Sequence, residues 1–450
     1  MNLNLNTFLT NIQSAGGIAM LIGGAVIDEI QGRPIKDWDM EVYHLDLNQL
    51  EEILNRLGLK ADTVGKSFGV IKTRMEVDGE MVEVDLSIPR MENKIGVGHK
   101  DFQVDLDPNM SPEEAGRRRD LTINSMYKNL HTGAIVDPFN GFNDLKNGVL
   151  RVTNEATFVE DPLRVLRIMQ LLPRKGKTVE VKSVALCRTM VDDFKHLPKE
   201  RVFEEFSKLL LKADKPSMGL EFLRDCGWIV HFPELKNLDG CPQNPVWHPE
   251  GDVWVHTMMV VDNAALLRDQ VPEDWRLAYM FGALLHDMGK PDTTVLPRCT
   301  AHGHDRVGAE LSIEFMHRLT DDKRLIDRVE RIVRLHMRPG QLFRSKAKGP
   351  AWRKVHNQLR LDILGWMAMA DSAGRTGRSI KDVNEGAEKC FTYFEKLGAK
   401  RIPPLVLGRD LIAAGMKPGP AFKEILANAY ELQMNGMDKV EEILEQLAVK

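Results

Sequence analysis

The stretch Gly23–Asp39, GGAVIDEIQGRPIKDWD, constrains this 450-residue chain more than any other. An apolar run, Ile18 to Ile22, precedes it and reads as a short buried strand. Gly23 and Gly24 let the backbone turn tightly and approach a ligand closely. A short helical turn over 26–31 is expected next, then a Gly-Arg-Pro loop, then a second strand entered at Asp37. Side chains alternate along a strand. Asp37 and Asp39 therefore share one face, and Trp38, Met40 and Val42 the other. Magnesium favours carboxylate oxygens and shares its shell with substrate phosphates. Two such ions can clamp the attacking and leaving oxygens of a phosphoryl transfer. On spacing alone, the same residues also describe a surface turn and a strand with a solvated face.

Charge narrows the partners. A net charge of −4 excludes a chain that is basic throughout, so nucleic-acid binding has to come from local basic patches. The five cysteines, Cys187, Cys226, Cys241, Cys299 and Cys390, form no CxxC pair. That pattern suits a reducing compartment without a disulfide framework. The start, MNLNLNTFLTNIQ, lacks the basic and apolar parts of a signal peptide. No run reaches the length of a membrane span. A cytoplasmic location is expected.

After the metal-like stretch, the spacing predicts an amphipathic helix over 46–57, capped by Asp46 and ended by Gly58. VGKSFGV (64–70) is not a phosphate-binding loop, because the glycine required five residues before Gly65 is Lys60. Strands over 70–77 and 80–88 are joined by Asp78-Gly79, a strong hairpin signal. Asp85 is a candidate third carboxylate or an ordinary residue on a polar sheet face. Residues 89–110 are polar and read as a mobile loop. Ser111-Pro112-Glu113-Glu114 opens a helix with a capping box. It leads into RRRDLTINSM (117–126), whose arginines suit a triphosphate or a solvated helix face. A short strand pair and the turn-forming DPFNGFNDL (137–145) follow.

From about residue 155 helix dominates. In EDPLRVLRIMQLL (160–172), Arg164 and Arg167 share a face, with Asp161 one turn back. Further helices are expected over 199–211 and 216–226. The next unit is marked by histidines. His256 lies in VWVHTMMVV, His286-Asp287 follows AYMFGALL, His302 and His304 lie in a loop, His336 lies in RIVRLHMRPG, and Asp371 lies in MAMADSAGRTG. Imidazole and carboxylate are good ligands for first-row divalent metals, although a lone helical histidine is commonly a hydrogen-bonded core residue. The tail over 403–436 reads as two short helices around Gly415–Pro420. Its N–H groups suit a phosphate, or the segment is a plain helical hairpin.

These blocks and their order resemble the bacterial class II tRNA nucleotidyltransferases, the CCA-adding enzymes and their poly(A) polymerase relatives, in the subgroup with a C-terminal HD phosphohydrolase domain. GGAVIDEIQGRPIKDWD is similar to the family's metal-binding signature, RRDLTINSM to its second motif, DPFNGFNDL to its third, EDPLRVLR to the nucleotide-selecting motif, and KERVFEE to the next one. ALLHDMGK, AHGHDRVGAE and ADSAGRTGR are similar to the HD portion. The resemblance implies an α+β chain: a polymerase-β-like nucleotidyltransferase head with a small mixed sheet over 1–150, a helical neck over 151–245, an HD body over 246–380 and a helical tail over 381–450 that contacts tRNA. It implies two Mg2+ ions on Asp37 and Asp39, Gly24 close to the nucleotide phosphates, and Arg119 binding the nucleotide. Asp161 and Arg164 would read the Watson–Crick edges of CTP and ATP, braced by Arg167. The loop over 89–110 would help the change from C to A. His256, His286, Asp287 and Asp371 would bind a divalent transition metal for phosphoester hydrolysis, with His304 and His336 as extra ligands.

One position departs from the family. Arg usually follows Gly-Gly-x-Val and touches the triphosphate, whereas this chain has Ile27; either Arg33 or Lys36 substitutes, or nucleotide binding is weak. Glu41 adds a negative charge to the Asp37 and Asp39 face. The implied activity is addition of CCA to tRNA 3′ ends from CTP and ATP. The alternatives are a poly(A) polymerase or partial CC- or A-adding enzyme, an HD phosphohydrolase with an impaired RNA-binding head, and a non-catalytic RNA-binding protein.

Overall fold

Asn4 accepts a hydrogen bond from the Thr7 N–H and opens α1 (Leu5–Ser14), which buries Phe8, Leu9 and Ile12. The computed structural model describes residues 4–62, 69–94 and 102–448. Beyond α1 the head alternates short strands and helices: β1 (Ile18–Ile22), α2 (Gly24–Ile30), β2 (Trp38–Tyr43) and α3 (Leu47–Arg56). The capping box of α3 pairs Asp46 with Gln49, and Leu47, Leu50, Ile53 and Leu54 are buried. The hairpin expected at Asp78-Gly79 is present as β3 (Val70–Val77) and β4 (Glu80–Ser87).

The loop expected over 89–110 is corrected. β5 (Arg90–Lys94) and β6 (Phe102–Leu106) pair antiparallel as a separate hairpin. The alternation of apolar and polar residues at 102–106 is a period-two strand signal, which the polar composition of the whole segment obscured. Residues 95–101 and 63–68, the latter including the first five residues of VGKSFGV, lie outside the described residues.

The remaining head elements are α4 (Pro112–Arg117), β7 (Tyr127–Asn129), β8 (Ile135–Val136) and α5 (Gly141–Asn147). The sheet has six strands in the order β3-β4-β2-β1-β7-β8. β2 and β4 run parallel and the other neighbours antiparallel, so the sheet is mixed, as expected. The second and third motifs lock together behind it. Asp137 accepts from the N–H groups of Gly141 and Phe142. A Cβ on Gly141 would stand 2.2 Å from the Thr122 carbonyl oxygen. Backbone cannot yield cheaply at that distance, so Gly141→Ala is expected to destabilise the head by about 1–3 kcal/mol, read by urea unfolding.

Helix α6 (Glu155–Phe158) and helix α7 (Leu163–Lys175) follow. In α7 the apolar side chains from Leu163 to Leu172 and Gln170 are buried, while Arg164 and Arg167 are half-buried, and Pro173 sits in its last turn. The chain divides into two compact units, Met1–Phe206 with Glu221–Trp228, and Ser207–Leu220 with Ile229–Lys450. The second unit is helical apart from one short strand pair, Thr294–Val295 with Thr300–Ala301. Its tail has a small core of its own around Val406, Leu411, Ala429 and Ile443. The α+β architecture with a mixed-sheet head and helical remainder is therefore as expected. No helix among the described residues is long and apolar enough to cross a membrane.

Candidate functional site

In the first unit, the parallel register of β2 and β4 sets Asp39 opposite Asp85. Asp37 lies exposed one step before β2, so the strand begins one residue later than expected. A cleft of about 310 Å³ is lined by Asp39, Glu41, Asp85, Arg90, Arg118 and Arg119, among others. Burial, then the charges of Asp85 and Asp37, push the Asp39 carboxyl up to about 6. A carboxylate held up by like charges gains from a bound cation. The acidic donor set therefore fits magnesium. Lys72 pairs with Asp85 at 2.8 Å.

Gly23 has φ 63° and caps α2, a conformation that few residues other than glycine adopt. A Cβ at Gly24 would meet nothing within 4 Å, which leaves open space beside the backbone there. Ile27 is 1% exposed and belongs to the buried face of α2 with Ala25 and Val26. Apolar packing thus fills the position where the family has arginine. Arg33 pairs with Asp28 at 2.9 Å. Neither Arg33 nor Lys36 lines this cleft, whereas Arg90, Arg118 and Arg119 do.

Arg119 lies over the Tyr127 ring, 5.2 Å from its centroid. Its Nη1 reaches the Asn124 carbonyl at 3.4 Å, and its Nε is buried without an acceptor. A guanidinium has five donors, so this one has capacity for an anion. Asp161 stands before α7 and accepts from the Leu163 N–H at 3.1 Å. Arg164 donates to the carbonyls of Thr157 and Arg118 at 2.6 and 2.7 Å. Arg167 donates to Asp120 at 2.7 Å. Asp120 also accepts from Asn124 at 2.8 Å, so Arg167 braces the second motif.

In the second unit a buried histidine and carboxylate cluster forms from five helical segments. His256 lies on the helix Val253–Leu267, and His286-Asp287 ends the helix Glu273–Leu285. His304 starts the helix His304–Leu319, His336 ends Lys323–Leu335, and Asp371 lies on Leu361–Ala373. Ligand atoms of His256, His286 and Asp371 all lie within 4.8 Å of one another, as do those of Asp287, His304 and His336. Asp287 stands between the two groups. Its Oδ2 lies 3.6 Å from His256 Nε2 and 3.2 Å from His286 Nε2. Its Oδ1 lies 3.4 Å from His304 Nε2 and 3.9 Å from His336 Nε2.

The Nδ1 atoms of His286, His304 and His336 each donate to a carbonyl, those of Ala283, Ala301 and Val333, at 2.9, 2.6 and 2.6 Å. That fixes the tautomer and presents Nε2 to the centre. His256 Nε2, His286 Nε2 and Asp287 Oδ2 are buried close to one another; Asp371 lies 3.2 Å from His256 Nε2 and Lys290 2.7 Å from Asp287 Oδ2. Three buried ligand atoms converging on one point fit a divalent ion. Burial works against charge on His256, but hydrogen bonds to Asp371 and Glu250 hold it up at about 9. Burial and the neighbouring His304 and His286 push His336 down to about 4. Asp287 is held well below the usual carboxylate range by His286 and Lys290, against its burial.

Sequence reasoning missed three groups here. Glu250 lies 2.9 Å from His256 Nδ1 and 2.8 Å from His248 Nδ1. Lys290 forms an ion pair with Asp287 Oδ2 at 2.7 Å and donates to Gln243 at 2.6 Å. The helix turn from Asp287 to Lys290 was a signal for the lysine. Glu250 and His248 lie in a loop and had none. A cavity of about 460 Å³ opens on the cluster, lined by Trp247, His248, Lys290, His302, Arg344 and Arg375, among others.

Comparison with known proteins finds three matched segments along the chain. Residues 19–151 match the poly A polymerase head domain, residues 178–238 a probable RNA and SrmB-binding site of polymerase A, and residues 253–363 the HD domain. The chain is 35% identical to a multifunctional CCA protein of Aromatoleum aromaticum over 82% of this chain and 87% of that one. It is 31% identical to one of Nitrosococcus oceani over 90% and 95%. A solved CCA-adding enzyme in an apo form shares the fold with TM-score 0.66 at 19% identity, covering 99% of this chain and 95% of that one.

Proposed function

Because the chain belongs to the family of multifunctional CCA proteins, we propose that it adds CCA to tRNA 3′ ends from CTP and ATP without a nucleic-acid template, and that its HD portion hydrolyses phosphoesters. The head over 1–150 carries the transfer. Asp37 and Asp39 would hold two magnesium ions, with Asp85 beside them; such ions would supply activation of a tRNA 3′-hydroxyl and charge stabilisation at the α-phosphate. The Gly23-Gly24 backbone leaves room for phosphate oxygens, and Arg119 donates to the triphosphate. Asp161 and Arg164 select C and A, since a carboxylate and a guanidinium offer complementary acceptors and donors to base edges. The two carbonyl bonds of Arg164 orient it, and Arg167 fixes the second motif through Asp120.

One observation supports the reading: Asp39, Asp85 and Arg119 line one cleft, where burial and acidic neighbours hold the Asp39 carboxyl up and Arg119 Nε has no acceptor among the described residues. Solved CCA-adding enzymes of this fold include complexes with ATP, with CTP and with tRNA. The partners proposed here are therefore tRNA, CTP and ATP. The free cysteines suit a cytoplasmic location.

The HD site is proposed to hold a divalent transition metal on His256, His286, Asp287 and Asp371, with His304 and His336 facing the other oxygen of Asp287. Such an ion, when bound, would activate water for phosphoester hydrolysis. Lys290 fixes Asp287, and Glu250 fixes His256.

The test is incorporation of labelled CTP and ATP into a tRNA transcript lacking CCA. Two C followed by one A is expected with both nucleotides, and no A with ATP alone. A run of A residues from ATP alone would replace the reading with a poly(A) polymerase. No incorporation at all would leave the HD portion as the working enzyme.

A further inference from the structure

The head carries a buried negative charge among the arginines of its own cleft, and the meaning of that charge rests on the transferase reading above. Glu41 is 1% exposed. Its Oε2 accepts the Tyr43 hydroxyl at 2.8 Å. Its Oε1 lies 3.6 Å from Arg119 Nη2 and 4.0 Å from Arg118 Nη2. Both distances exceed a direct hydrogen bond, so attraction holds the groups together without bonding them. Arg119 also makes the long Nη1 contact to Asn124 and lies against Tyr127, and its Nε has no acceptor among the described residues.

We propose that Glu41 is a place-holding anion, which keeps Arg119 and Arg118 turned into the cleft until a triphosphate displaces it as their counter-charge. Phosphate oxygens offer Arg119 the short, charge-assisted bonds that Glu41 does not reach. The ligand class is a polyanion, a nucleoside triphosphate or free tripolyphosphate. The same carboxylate repels that ligand, so orientation of the arginines comes with weaker binding. Ile27 sharpens this balance, since no arginine at that position offsets the charge. Glu41 is a positioning residue in this scheme, because it acts through Arg119.

Glu41→Gln keeps the volume and an acceptor for Tyr43 but removes the charge. Its KM for CTP and ATP is expected to fall about five- to tenfold at low salt, the effect of one charge several ångströms from the triphosphate. The dissociation constant for tripolyphosphate, read by calorimetry, is expected to fall in parallel, and both differences to shrink as salt rises. Tyr43→Phe removes the hydroxyl that shares the Glu41 charge, and should raise KM about two- to threefold by the same reasoning. A merely structural role moves stability without lowering KM. An unchanged or higher KM in Glu41→Gln overturns the proposal. Should that variant not fold, an unchanged or lower KM in Tyr43→Phe does so. A wild-type protein that incorporates no nucleotide defeats the transferase reading instead. The tripolyphosphate constants then decide the role of Glu41, and equal values for wild type and Glu41→Gln overturn it.

Discussion

Asp39→Asn is expected to lower CMP and AMP incorporation by ~10³-fold or more, the scale expected when a group that stabilises transition-state charge is removed. The same substitution is expected to raise the melting temperature of the metal-free protein. The two effects have one cause. Burial and the charges of Asp85 and Asp37 raise the Asp39 carboxyl to about 6, above the value of roughly 3.9 for an unfolded chain. The folded state therefore binds the extra proton between those values. Stability linked to Asp39 is present in full below about pH 4 and is lost as pH rises through 6. An amide does not ionise, so it removes that loss at pH 7.5 and changes little at pH 4. Melting curves in a chelator at both pH values, beside incorporation assays with magnesium, separate loss of the ion from loss of the fold. An inactive variant that melts lower at pH 7.5 would contradict the argument, and so would one that keeps activity.

Asp287→Asn is expected to abolish phosphohydrolysis, again by ~10³-fold or more, and to release bound metal while leaving incorporation into tRNA in place. Asp287 is 2% exposed, and both of its oxygens face histidines. Asparagine keeps one oxygen and turns an N–H2 group, a donor, toward Nε2 atoms or an ion. Lys290 loses its charged partner as well. The measurements are metal content after dialysis against nickel, cobalt or manganese, and hydrolysis of bis-p-nitrophenyl phosphate. A variant that retains metal and turnover would remove Asp287 from the centre. His304→Ala and His336→Ala test the other oxygen, by whether metal content falls in part or not at all.

Local rules made much of the chain legible. The Asp46 cap, the Ser111 capping box, the Asp78-Gly79 hairpin and the buried strand before Gly23 formed as expected. Each depends on neighbours within a few residues, where propensity and hydrogen-bond geometry act directly. The β5–β6 hairpin was missed because a short alternation was read through the average polarity of a longer segment. The candidate residues His256, His286, Asp287 and Asp371 come together in the fold, and so do His304 and His336, which sequence left as extras. Glu41 was an unexplained charge in sequence, and the cleft supplies its partners.

Sequence by itself determined the order of the units, the carboxylates of β2, the chemistry of the histidine set and the absence of arginine at position 27. Tertiary structure alone decided that Asp85 stands opposite Asp39, that Arg167 serves Asp120, that Asp287 divides its oxygens between two histidine pairs, and that Glu41 faces two arginines. The reason is physical. Residue type and local spacing set what a side chain can donate, accept or bury. Which groups share an environment depends on strand register and helix packing between segments tens to more than a hundred residues apart, and that shared environment sets their charge and their ligands.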